Sequence, residues 1–344
     1  MVRGRRKKCG VVSRRVHSIG RREVLTIALL VVEIIIFSFL SRNFLTRSNV
    51  FSVLRNASEV ALVAIGMSMV MIIGGIDISV GSTLGVAAIL ISRTILAGYH
   101  PFLAVLVGVV VGLVIGAING VLIAKARIVP IIATLGMSNI LRASVFALLG
   151  GQWITGLQPI LPAITMGSIA GVPSTVVLVV AFYIIFWYVL TYTRFGRYIH
   201  QAGNNAEAAK LAGIDADVIR LLSHAILGML TGFAAVLYVS RMGGAEITVG
   251  DTLPIRAIAA SVVGGVSVTG GRGSLVGTLA GVLFIDFLRN GIVLLGVPSL
   301  WEQFVVGVMI VISVALDLGF EKREERKRIL ERFSLRTRKA GESM

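Results

Sequence analysis

The chain has 344 residues, of which 56% are hydrophobic and only 15% charged, and its mean hydropathy is +0.91. A soluble protein carries about 25% charged residues, so a water-soluble enzyme or binding domain is excluded, and continuous apolar runs exclude a β-barrel, whose strands alternate every second residue. The formal charge of +16 is no nucleic-acid signal, because nine Lys/Arg fall in the first 22 residues and nine more follow residue 320, flanking apolar spans where basic residues fix cytoplasmic orientation and meet anionic lipid head groups.

Residues 1–23 form a basic cytoplasmic tail holding the single cysteine, Cys9, so neither a disulfide framework nor a thiolate metal cluster is expected. The four histidines share no ligand spacing, and neither a metal nor a cofactor is expected. Ten apolar segments follow, at 24–41, 57–74, 83–98, 102–124, 128–149, 172–192, 218–240, 254–268, 274–295 and 302–318. Together they predict an all-α, polytopic membrane domain over 24–318. The first segment reads as an uncleaved helix, since no small-residue cleavage site follows Phe37–Leu40. Phe102 to Ala124 is uncharged and, at about 1.5 Å per residue, long enough for a hydrocarbon core of about 30 Å. Starting inside, the path puts Lys125 and Arg127 inside, the 150–171 loop outside, and the 193–217 loop and both termini in the cytoplasm. Arg42, Arg47 and Arg55 fall outside, against the rule. The fifth segment (with Asn139 and Arg142 inside it) and the eighth are the weakest, which leaves a count of eight open. Residues 319–344 form a second basic cytoplasmic tail.

The run Gly75-Ile76-Asp77-Ile78-Ser79-Val80-Gly81-Ser82 interrupts an aliphatic stretch with a carboxylate, two hydroxyls and two glycines. A carboxylate at membrane depth costs about 2.5–3.5 kcal/mol unless water, a partner or unwound backbone receives it. Broken helices are tolerated in a bilayer only where they are buried in protein or line a cavity. An interrupted helix near 74–82 and a polar solute pathway are therefore expected. A second glycine-rich stretch, 264–274, lacks the Gly-Lys-Ser/Thr of a phosphate loop and echoes the first; Asn119-Gly120 and Asn290-Gly291 echo each other. Matching interruptions in two inverted halves are a transporter design. Asp77, Ser79, Asn119 and Asn290 are the candidates to line the pathway, where amides and hydroxyls replace part of a solute's hydration. Of the other acidic residues, Glu33 and Asp317 read as helix-end positions, and Asp286 as the partner of Arg289 three residues on. No catalytic set is present.

The inner loop contains Ala202-Gly203-Asn204-Asn205-Ala206-Glu207-Ala208-Ala209-Lys210-Leu211-Ala212-Gly213. From an N-cap at Asn204 or Asn205 to Leu211 it predicts a short alanine-rich helix ended by Gly213. A plain connector does not need a capped helix, so this one is expected to meet a partner.

Several of these stretches resemble one family. Gly74 to Ser82, Ile131-Ile132-Ala133-Thr134-Leu135-Gly136, Phe195-Gly196-Arg197, Ala202-Gly203-Asn204-Asn205, Glu207-Ala208-Ala209, Gly213-Ile214, Ala257-Ile258-Ala259-Ala260 with Gly264-Gly265 and Gly270-Gly271, and Asn290-Gly291 are similar, in order, to the permease subunits of ribose-type, binding-protein-dependent ABC importers. The likeness runs over about 50–318. It implies a multi-pass protein of the bacterial inner (plasma) membrane for carbohydrate import. The implied partners are a second permease copy (identical or not), an ABC ATPase and a periplasmic sugar-binding protein. The resemblance also implies no catalysis by this chain and makes Gly203, Asn204, Glu207, Ala208, Ala209 and Gly213 the segment received by the ATPase. One departure stands out: where family members often carry an acidic cluster before Ala-Ile-Ala-Ala, this chain has Leu253-Pro254-Ile255-Arg256. Gly151 to Leu157 is loosely similar to autoinducer-2 and rhamnose-type branches. The rival reading is an ion-coupled secondary transporter in which Asp77 or Asp286 binds the ion.

Overall fold

The computed structural model describes residues 21–160, 162–298, 301, 303–309, 311, 312 and 315. Most of the basic N-terminal tail, the C-terminal tail and Asp317 lie outside the described residues. In chain order the elements are α1 (Arg21–Leu40), α2 (Arg47–Ile72), α3 (Val80–Leu96), α4 (Pro101–Ala124), α5 (Pro130–Leu149), α6 (Pro162–Thr165), a hairpin of β1 (Ser168–Ile169) and β2 (Val172–Pro173), α7 (Ser174–Tyr192), α8 (Arg194–Asn204), α9 (Ala206–Leu211), α10 (Ala216–Met242), α11 (Leu253–Val263) and α12 (Leu275–Leu294).

Among the described residues seven helices are long and apolar enough to cross a membrane: α1, α2, α4, α5, α7, α10 and α12. The expected third and eighth segments are α3 and the 11-residue α11, shorter because each adjoins a stretch of non-helical backbone. An 11-residue helix rises only about 16 Å, roughly half a hydrocarbon core. The fifth, weakly predicted segment is a full helix started by Pro130 and ended at Gly150 in the left-handed region (φ 60°). The tenth falls on residues described only in part.

The helix ends follow local chemistry. Asp215 Oδ1 accepts from the Asp217 and Val218 amides at 3.0 and 3.2 Å and starts α10; Gly243 (φ 67°) ends it. Backbone contact sets the core. Gly108, Gly112, Gly116 and Gly120 form one face of α4 and meet Leu221, His224, Gly228 and Gly232 of α10, the small-residue approach by which membrane helices pack without a hydrophobic driving force. A Cβ on Gly112 would overlap the Gly228 carbonyl oxygen and lie 2.8 Å from Gly232 N. Behind this pair, α2 is buried from Ala57 to Ile72.

On the side expected from the sequence to be outer, the β1–β2 hairpin turns at Ala170 and Gly171, both with positive φ, as a two-residue hairpin requires. Arg47, an exception to the charge rule, donates to the Gly171 carbonyl at 3.0 Å and so anchors this loop to α2. Trp153 stands exposed on the same side. On the side expected to be inner, α9 matches its helical expectation: Asn205 Oδ1 caps it at the Ala208 amide (2.9 Å), and Gly213 (φ 78°) closes its end. The helix before it, α8, was not expected; it buries Gly196, Ile199 and Ala202 on one face.

Candidate functional site

Both expected interruptions are present, and each has a local cause. At the end of α2 the Gly74 amide donates to Met71 O (2.9 Å) and the Gly75 amide to Val70 O (2.8 Å), while Gly74 takes φ 86°. This left-handed closure at a glycine stops the helix. The chain then runs non-helically to Val80, and Asp77 organises that run. Asp77 Oδ1 accepts from Ser79 N (2.8 Å) and Ser79 Oγ (2.6 Å), and Asp77 Oδ2 accepts from Asn119 Nδ2 (3.1 Å), which also lies 2.8 Å from Ser79 Oγ. All three side chains are buried. From α5, Thr134 Oγ1 accepts from the Ile78 amide at 3.2 Å and lies 3.3 Å from the Ile76 carbonyl. The carboxylate is thus held by hydrogen bonds from Ser79 and Asn119.

Two cavities approach this break from opposite sides. The one on the expected outer side, here the outer cavity, has about 660 Å³ and lies between α2, α10, α11, α12 and the 246–252 segment. Its wall carries two ion pairs. Arg241 holds Glu59 bidentately (Nε to Oε1 2.9 Å, Nη2 to Oε2 3.2 Å), and Arg256 pairs with Asp286. Asn290 exchanges hydrogen bonds with Asn49 at 2.7 and 2.9 Å. Arg142 of α5 pairs with Asp251 and donates to Ile247 O (2.9 Å), which ties down the 246–252 segment. The volume falls within the roughly 300–1,000 Å³ typical of small-molecule sites.

The inner cleft, of about 940 Å³, is bounded by Gly74, the α4–α5 turn, α9 and the start of α10, with Arg127, Glu207, Lys210, Asp215, Asp217 and Arg220 on its walls. Gly74 lines the inner cleft and Leu84 the outer cavity; Asp77 and Ser79 lie among the nine residues between them. There Gly81 meets the outer segment directly: a Cβ on it would overlap the Gly250 carbonyl oxygen and lie 3.0 Å from Pro254 Cδ.

Residues 49–314 match the family described as branched-chain amino acid transport system / permease component. The chain belongs to this permease family. It is 39% identical to the ribose import permease protein RbsC of Bacillus subtilis over 290 residues, covering 84% of this chain and 90% of the relative. It is 38% identical to RbsC of Escherichia coli K12 over 295 residues (85% and 92%). The autoinducer 2 import system permease protein LsrC of Escherichia coli K12 / DH10B is 31% identical over 298 residues (87% of each). No solved structure matches.

In this multi-pass membrane permease, three of the four sequence-chosen pathway residues, Asp77, Ser79 and Asn119, form one network, whereas Asn290 stands in the wall of the outer cavity. Within the inner loop Asn204, Glu207, Ala208 and Gly213 are exposed, Ala209 is buried, and Gly203 is half-buried. One sequence reading is extended and another corrected. Asp286 takes Arg256 of α11 as a partner, not only a neighbour on its own helix. Arg256 sits where the family's acidic cluster was missed, so the departure supplies the base that Asp286 meets. Glu33 is not at a helix end: it lies mid-way along α1, is buried, and neither carboxyl oxygen has a hydrogen-bond partner among the described residues. The residues that sequence reasoning left without a role are Glu59, Arg241 and Arg256. A lone carboxylate in the apolar α2 was the available signal.

Proposed function

We propose that the permease is the membrane-spanning subunit of an ATP-driven importer for a monosaccharide or similar small polyhydroxy solute in the inner (plasma) membrane. The observation that carries this reading is the outer cavity. In a chain 39% identical to a ribose permease, a space of about 660 Å³ has its Arg241 and Arg256 guanidinium groups each matched by a carboxylate. Paired charges and amides in this wall offer donors and acceptors to hydroxyl groups. A secreted binding protein delivers the solute to this side, and a second permease copy completes the assembly. Energy comes from a separate ATPase that grips α9.

Asn290 then contacts solute in the outer cavity, and Asp77, Ser79 and Asn119 belong to the barrier that must open towards the inner cleft. In Asp77→Leu the Ser79 amide and hydroxyl lose their acceptor and Asn119 Nδ2 keeps only Ser79 Oγ, at about 1–3 kcal/mol for each buried group left unpaired. The expected result is uptake lowered at least about tenfold (1.4 kcal/mol per decade), with the chain still present in the membrane fraction. Unchanged uptake removes Asp77 from the barrier.

The docking face is tested separately. Leu211, at the end of α9, is 92% exposed, an apolar anchor beside the exposed Glu207 and Lys210. Leu211→Asp and Glu207→Arg are each expected to abolish co-purification of the partner ATPase from solubilised membranes, without loss of the permease itself. Normal co-purification of both variants contradicts the assignment of α9.

A further inference from the structure

Gly203 was chosen from the sequence as part of the partner-facing segment, yet its Cα faces the interior. A Cβ there would overlap the Ile72 carbonyl oxygen, at the end of α2, and lie 2.9 Å from the Gly271 amide nitrogen. That amide donates to the same Ile72 carbonyl at 2.7 Å. The contacts recur from the other side. A Cβ on Gly270 (φ 92°) would come within 3.0 Å of Gly203 O, 3.1 Å of Ile72 O and 3.2 Å of Gly74 Cα, and one on Gly271 (φ 77°) within 3.0 Å of Asn204 Cα. His200, one turn earlier on α8, places Nδ1 3.2 Å from the Gly271 carbonyl; a carbonyl only accepts, so Nδ1 is the protonated nitrogen. Three backbones meet at this point: the inner loop, the 73–79 break and the 264–274 break.

The inner loop is divided accordingly. The helix α9 has one buried residue, Ala209, and otherwise faces outwards, whereas α8 buries Gly196, Ile199 and Ala202 against the permease. Asn205, in extended conformation, is the single residue between them. One part is shaped to be held from outside and the other to hold both interruptions. Backbone packed on backbone has no side chain to yield, so displacement of α8 is passed on rather than absorbed.

We propose that Gly203 is a positioning residue: it joins the ATPase-driven loop to both interrupted helices, so that one push on α9 moves the two breaks together. The proposal rests on the importer reading above and adds the part through which the push acts. A methyl group at Gly203 is enough to separate the three backbones while leaving the α9 face unaltered.

The test uses the full permease in membranes with its partner ATPase, in a Cys9→Ser background carrying Asn56→Cys as a reporter. Asn56 is exposed in the wall of the outer cavity, and the probe is a membrane-impermeant maleimide. In the parent, ATP with vanadate is expected to change the labelling rate at least about fivefold, the lower range of allosteric coupling. With Gly203→Ala the ATPase still co-purifies, and the change falls below about twofold. A full-sized change in Gly203→Ala overturns the proposal, and so does loss of ATPase co-purification, which would make Gly203 a docking contact. Should Gly203→Ala fail to accumulate, His200→Ala decides, because it removes the side-chain tie to Gly271 and leaves the Gly203 backbone contacts in place: a clearly reduced change supports the joint and an undiminished one overturns it. A parent with no ATP-dependent change overturns the importer reading itself, since no motion is then present for Gly203 to transmit.

Discussion

Glu59→Leu and Arg241→Leu, made singly, are each expected to destabilise the folded permease by about 3 kcal/mol, and the double variant to recover most of that loss without recovering transport. The Glu59 side chain is 11% exposed and that of Arg241 34%. Removing either leaves the other charged and desolvated beside the Arg256–Asp286 pair, and breaking a buried pair in this way costs about 3–5 kcal/mol. The lower end applies because Arg241 keeps a third of its side chain open to the cavity. Replacing both charges by apolar groups removes the orphan, and such replacements are often neutral. Transport follows a different rule: the double variant presents leucine where a polyol needs donors and acceptors. Thermal unfolding in detergent and uptake in cells separate the two effects. A double variant that regains uptake along with stability would show that solute does not use this cavity.

Gly112→Ile is expected to prevent folding. Its Cβ meets the Gly228 carbonyl oxygen, with Gly232 N at 2.8 Å and Gly232 Cα at 2.9 Å, and the reverse also holds, a Cβ on Gly228 meeting Gly112 O and lying 2.8 Å from Gly116 Cα. Ordinary overpacking against side chains costs about 1–3 kcal/mol because they shift; here both surfaces are main chain, so α4 and α10 must part. The α4–α10 contact is the most extensive among the described elements, and α10 also packs on α2 and α3. Its loss exceeds a net stability of about 5–15 kcal/mol. Gly136, which has no atom within 4 Å of an added Cβ, is the control: Gly136→Ala is expected to elute in size-exclusion chromatography as the parent does, while Gly112→Ile aggregates.

The helix break at 74–82 was legible because lipid penalises a carboxylate so heavily that Asp77 within aliphatic residues had one structural explanation. Asn119 was reachable through its echo with Asn290, but the echo misled about place: Asn119 closes the Asp77 network, whereas Asn290, in the wall of the outer cavity, pairs with Asn49. The α9 helix was legible from its cap and its terminating glycine. The preceding α8 was not, since Arg194–Asn204 mixes polar and small residues and owes its helix to burying Gly196, Ile199 and Ala202. The outer cavity was hidden for a different reason. Glu59 and Arg241 are separated by 182 positions, and Arg256 and Asp286 by 30, so their pairing is a tertiary fact without a local pattern. Likewise nothing local marked Gly203 as interior, because two polar asparagines follow it in the sequence.

The most direct test of the account is solute accumulation in sealed vesicles containing the purified permease, with and without its ATPase and a loaded binding protein. With both partners and ATP on the ATPase side, accumulation is expected to persist when ionophores collapse every ion gradient, and to stop when ATP is withheld. Accumulation by the permease alone, driven by an imposed ion gradient, would contradict the account.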